Sequence, residues 1–159
     1  MAILYAHTCI NTLNLKKLCD FYEKVFELTY VGPSRELQGQ WFDKVTGLND
    51  VHVDCIHMTL PGFPKGGPTI EFFTWGNTEE KPNNNINSIG LAHIAFNVDD
   101  VEKTYKMLVE KGGSACGEMV KNYNSAKDMT ITIIYAKDPD GNIIEISKWE
   151  KGDWEKVVL

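Results

Sequence analysis

Two histidines and two glutamates recur in this chain in the same order, each in a strand-like setting. His7 follows Ala6 and stands four residues before Asn11; His93 follows Ala92 and stands four before Asn97. Towards the end of each half, Thr69 to Trp75 (TIEFFTW) lines up with Ile143 to Trp149 (IIEISKW), so Glu71 falls on Glu145 and Trp75 on Trp149. An ionised carboxylate among apolar strand residues is costly to bury unless a proton, a cation or a metal compensates it. Two imidazoles and two carboxylates together supply donors that satisfy a divalent ion. Singly, each has a plainer explanation: a strand histidine is commonly a hydrogen-bonded core group, and a glutamate commonly faces solvent. The repeated His-then-Glu order sets these four apart.

The elements that must position them repeat as well. In IGLAHIAFNVDDVEKTYKML (Ile89 to Leu108), Ile94, Phe96 and Val98 alternate with Leu91, His93 and Ala95, the period of a strand covered on one face. Asp99 and Asp100 can cap a helix carrying Val101, Tyr105, Leu108 and Val109, which Gly112 and Gly113 end. The first half opens likewise: a strand over Ala2 to Asn11, with His7 on the face of Ile3, Tyr5 and Cys9, then Asn14 as cap and a helix over Leu15 to Phe26. Further strands are expected at Leu28 to Gly32, Val51 to Leu60, Thr130 to Ala136 and Asn142 to Trp149, the last two joined by the turn Asp138-Pro139-Asp140-Gly141. Val51, Val53 and Cys55 share one face, and His52, Ile56, Met58 and Leu60 the other. The apolar rows Ile70/Phe72, Ile144/Ile146 and Ile94/Phe96 have helices to pack under, which turns both histidines and both glutamates to the opposite face. His52 and His57 have no counterpart in the second half and read as structural or surface residues.

The interval from histidine to glutamate is 64 residues in the first half and 52 in the second. The extra length falls in Pro33 to Asp54, with Trp41, Phe42 and a turn-forming run from Thr46 to Asp50; a flap lining a pocket and a decorated surface loop both fit it. Pro61 to Pro68 (PGFPKGGP) is a turn without the spacing of a phosphate-binding loop. Gly76 to Ser88 is polar and rich in asparagine, a natural linker. The organisation is therefore a first module over 1–76, a linker over 77–88, a second module over 89–150 and a charged tail over 151–159 with Trp154.

With 43% hydrophobic and 24% charged residues the composition is that of an ordinary globular protein. A formal net charge of −6 without a long basic run makes nucleic acid an unsuitable partner. The sequence offers neither the run of roughly 20 apolar residues of a membrane span nor a signal peptide, so the expected location is cytoplasmic. Cys9, Cys19, Cys55 and Cys116 lack CxxC spacing and read as buried reduced thiols rather than a disulfide or zinc knot.

AHTCINTLNLKKLCDFYEKVFEL, TIEFF, GLAHIAFNVDDV and KDPDGNIIEI, in that order, resemble the vicinal oxygen chelate superfamily, most closely its glyoxalase I-like branch. The resemblance implies an α+β fold of two tandem βαβββ modules whose curved mixed sheet forms a cup with helices on its outer face. It implies a divalent metal held by His7, Glu71, His93 and Glu145, with nickel, cobalt or zinc expected and manganese or iron also admitted. The implied activity is that of a lyase or isomerase: four protein ligands leave two positions for adjacent substrate oxygens, and an enediolate forms when a C–H beside a carbonyl is deprotonated. Glu145 is the implied base, with Glu71 its alternate. Where glutathione-handling members carry arginine and asparagine, this chain has Asn11 and Trp75, so weak or no lactoylglutathione lyase activity is expected. Asn11, Trp75 and Trp41 are instead expected to contact a flatter or more apolar small molecule. Methylmalonyl-CoA epimerases usually carry glutamine in place of Glu71. An iron-dependent extradiol-type dioxygenase, using His7, His93 and Glu145, and a non-catalytic binder of the bleomycin-resistance type remain alternatives. A homodimer is expected by resemblance, and a site closed within one chain or across two both occur in the superfamily.

Overall fold

A computed structural model describes residues 3–79 and 85–151; the tail with Trp154 and the middle of the linker lie outside the described residues. The chain divides into two units, Met1–Pro82 and Asn83–Leu159, each built on a mixed five-stranded sheet.

In the first unit, β1 (His7–Asn11) leads through α1 (Leu15–Phe26) to two short edge strands, β2 (Thr29–Tyr30) and β3 (Arg35–Gln38). After a short helix α2 (Gln40–Thr46) come β4 (His52–Thr59) and β5 (Thr69–Trp75). The order is β1-β5-β4-β2, with β3 also on β4; β1 runs parallel to β5 and the other pairings are antiparallel. The second unit repeats the plan with β6 (Ile94–Asn97), α3 (Val101–Glu110), β7 (Ser114–Ala115), β8 (Val120–Asn124), β9 (Met129–Lys137) and β10 (Ile143–Glu150), in the order β6-β10-β9-β7 with β8 also on β9. In each unit two short strands share one long neighbour, so each is a βαβββ module whose second strand is interrupted. No helix among the described residues is long and apolar enough to cross a membrane.

The expected caps form. Asn14 Oδ1 accepts from the Lys17 N–H at 3.0 Å, and Asp100 Oδ1 from the Lys103 N–H at 2.9 Å. α1 then lays Leu18, Cys19, Tyr22, Val25 and Phe26 against the sheet, with the Phe72 ring 5.1 Å from that of Tyr22. Behind α3 the chain returns so closely that a Cβ on Gly113 would meet Leu108 Cδ2 at 2.5 Å and the backbone oxygen of Lys137 at 2.6 Å. Because one neighbour is backbone, Gly113→Ala is expected to destabilise the protein by about 1–3 kcal/mol in urea denaturation.

Several expectations are corrected. The first strand begins at His7, and Ile3, Leu4 and Tyr5 are exposed instead of continuing it. His93 precedes β6 rather than lying in mid-strand. Pro33 to Asp54 is more than a decorated surface loop: β3 pairs with β4, and α2 inserts Phe42 beside Val51, Val53 and Cys55. This second cover is why Val53, Cys55 and Met58 are all buried although they lie on opposite faces of β4. The cysteines are free thiols, but Cys9 and Cys116 are exposed and only Cys19 and Cys55 buried.

Candidate metal centre

Strand register places the histidine and glutamate of each half together. In the first unit Cys9 on β1 and His57 on β4 flank Glu71 on β5, with His7 one pair further along. His7 Nε2 lies 3.2 Å from Glu71 Oε2. In the second unit Ala95 and Tyr135 flank Glu145, and His93 Nε2 lies 3.4 Å from Glu145 Oε2. Both arrangements follow from period two and a parallel neighbour, which keep the histidine and glutamate on one face while Ile70, Phe72, Ile144 and Ile146 fill the other.

Glu71, only 7% exposed, is held by several groups at once. Its Oε1 receives the imidazole of His57, Arg35 Nη2 at 3.3 Å and the Cys55 thiol at 3.4 Å, leaving Oε2 towards His7. Burial raises the Cys55 pKa, which keeps the thiol protonated and able to donate. His57 has both nitrogens engaged, since Nδ1 lies 3.4 Å from Thr69 Oγ1. The reading of His57 as a structural or surface residue is thus corrected: it is the cross-strand partner of Glu71. His52 is exposed, near Gln38 and Asp54.

The counterpart of His57 in the second unit is Tyr135, which pairs with Glu145 as His57 pairs with Glu71. Its ring sits 5.1 Å from that of His93, while His57 sits 5.7 Å from His7. Burial, and then a hydrogen bond to Glu145, push the Tyr135 hydroxyl pKa above its usual value, so it stays a donor at neutral pH. Searching the halves for matching residue types hides this equivalence; matching register shows it.

The donor chemistry fits a divalent cation. Each glutamate presents one carboxylate oxygen to an imidazole Nε2, the nitrogen-and-oxygen donor pairing that a divalent cation takes. Within the first unit Cys55, His57 and Glu71 also offer ligand atoms within 4.8 Å of one another. The Arg35 guanidinium shares Glu71 Oε1 with them, which makes this cluster a cradle for that oxygen. Asn11 Oδ1 accepts from the Trp75 indole N–H at 2.8 Å. Trp41 lies on α2, 57% exposed, its ring 5.1 Å from Phe42, which in turn stacks on Trp75 at 6.1 Å.

Each of the two βαβββ modules thus carries a histidine and a glutamate on one face of its sheet. The family model described as the Glyoxalase/Bleomycin resistance protein/Dioxygenase superfamily matches residues 4–146, and the chain belongs to that superfamily. It is 27% identical over 143 residues to a probable lactoylglutathione lyase of Vibrio parahaemolyticus, covering 88% of this chain and 86% of that protein. Among solved structures, a glyoxalase family protein from Bacillus cereus has a TM-score of 0.80 at 21% identity, covering 95% of this chain and 97% of the other. A glyoxylase/bleomycin resistance protein/dioxygenase domain from Frankia has a TM-score of 0.59 at 15% identity, covering 96% of each chain. These structural likenesses establish the two-module α+β fold. The superfamily includes enzymes, such as glyoxalases and dioxygenases, and non-catalytic members.

Proposed function

We propose that this protein is a divalent-metal-dependent lyase or isomerase of the glyoxalase I type, removing a proton from carbon beside a carbonyl in a small molecule with two adjacent oxygens. The observation that carries this reading is the duplicated His–Glu pair, at 3.2 Å in one unit and 3.4 Å in the other, at equivalent registers. His7, Glu71, His93 and Glu145 would hold the cation, which would stabilise negative charge developing on the substrate oxygens. The named Vibrio relative supports lyase chemistry. Asn11 and Trp75, hydrogen-bonded to each other, leave no cation for a glutathione carboxylate at those positions and support a different substrate.

The two glutamates differ in how they are held. Glu71 is tied through Oε1 by His57, Arg35 and Cys55, which suits a fixed ligand. Glu145 has Tyr135 as its cross-strand donor and suits the role of base, moving to take the proton and return it. His57 is then a positioning residue for Glu71. His57→Ala is expected to weaken nickel binding by about 10–100-fold in calorimetric titration, and His57→Gln, which keeps an N–H donor, to restore part of it. Unchanged affinity in His57→Ala would remove His57 from this role.

The test of the activity is exchange of solvent deuterium into the C–H beside the carbonyl of 2-hydroxy ketones by nickel-, cobalt- or zinc-loaded protein. Metal-dependent exchange is expected. Iron-dependent oxygen uptake on a catechol, with no exchange, would replace this reading by a dioxygenase.

A further inference from the structure

We infer that Arg35 is a specificity-determining residue that receives a carboxylate of the substrate, beyond the two adjacent oxygens offered to the cation; the inference rests on the proposed metal-dependent activity. Arg35 is the only arginine in the chain, the other fifteen permanently cationic side chains being lysines. A guanidinium at this one place is therefore not interchangeable surface charge, because its planar fork matches two oxygens at once where a lysine is a point charge.

Register puts it beside the site. Arg35 on β3 pairs with Cys55 on β4, which pairs with Phe73 on β5, one step along the same face from the His57–Glu71 pair. At the equivalent place in the second unit Val120 pairs with Ile133, which pairs with Ser147. The repeat thus supplies a scaffold position, and only the first unit fills it with a cation.

The fork is not consumed by the protein. Nη2 alone makes the contacts, at 3.3 Å to Glu71 Oε1 and 3.3 Å to Cys55 Sγ. A guanidinium placed only to neutralise Glu71 would approach with two parallel bonds of about 2.7–2.9 Å. Instead Nη1 and Nε have no acceptor among the described residues, and the side chain is 53% exposed although the side chain of Glu71 beneath it is only 9% exposed. One charge and two free donor nitrogens match the charge and oxygens of a carboxylate. A phosphate dianion would ask for a second fixed cation, and next to Arg35 this face offers the carboxylate of Glu71 and the imidazoles of His7 and His57.

The test compares hydroxamates sharing one chelating group: butyrohydroxamate, the monohydroxamate of succinate, and a phosphonate analogue, each titrated calorimetrically into nickel-loaded protein. The succinate compound is expected to bind about tenfold or more tightly than butyrohydroxamate, with the preference lost in Arg35→Met and partly kept in Arg35→Lys. Because Arg35 also touches Glu71 Oε1, nickel affinity is titrated separately in each variant, and the quantity compared is the ratio of the two hydroxamate affinities, since a loosened metal centre lowers both alike. Equal affinities in the wild type, a preference that survives Arg35→Met, or a parallel loss for both ligands would overturn the assignment while leaving the metal site standing. Tighter binding of the phosphonate would overturn the carboxylate in favour of phosphate. No binding of any hydroxamate to the nickel-loaded wild type would overturn both this inference and the function beneath it.

Discussion

Glu145→Gln is expected to slow deuterium exchange beside a substrate carbonyl by roughly 10²–10⁴-fold, the usual contribution of a positioned general base. Proton NMR of metal-loaded protein with a 2-hydroxy ketone reads the rate directly. Glutamine keeps the shape of the side chain and an oxygen that can face His93, but it cannot take up a proton. The effect is assigned to Glu145 because the surroundings of the two carboxylates differ. Oε1 of Glu71 is engaged by an imidazole, a guanidinium and a thiol, and releasing it would take this acceptor from the buried Cys55 thiol and the largely buried His57 imidazole. Wild-type exchange in Glu145→Gln, with the rate lost in Glu71→Gln, would exchange the two roles.

The second large effect belongs to packing. Phe72 is fully buried, lies next to Glu71 on β5, and turns its ring towards Tyr22 of α1 at 5.1 Å. Phe72→Ala removes a fully buried aromatic ring between helix and strand and is expected to cost about 3–5 kcal/mol. Against a total stability of about 5–15 kcal/mol for a domain, this is enough to loosen the first unit. Urea denaturation followed by tyrosine and tryptophan fluorescence would show a lower midpoint. Metal affinity should fall with it, because the strand that α1 supports carries Glu71. A stable variant with unchanged metal binding would show that α1 packing does not position the ligand.

Much of this arrangement was legible in the residues themselves. Asn14 and Asp100 announce the two long helices, and the alternation of Ile70, Phe72, Ile144 and Ile146 with Glu71 and Glu145 separates the helix-covered faces of β5 and β10 from those that carry the glutamates. The repeated histidine and glutamate then follow from parity alone, and the structure pairs them within each unit. The residues around them were not legible. His57, Tyr135 and Arg35 come into place through antiparallel neighbours, and their register is set by turns and by the interrupted strands rather than by any local period. Arg35 also sits on a strand of only four residues, too short to show alternation. α2 was hidden for a related reason: its seven residues bury a single side chain, Phe42, so no helical stripe betrays it.

The proposed function requires both His–Glu pairs for metal binding, and elemental analysis by plasma mass spectrometry of protein purified without chelator or metal-affinity resin tests this most directly. A single nickel, cobalt or zinc per chain, lost in both His7→Ala and His93→Ala, is the predicted result. Metal-free wild-type protein, or a full complement of metal retained when His93 is removed, would contradict it.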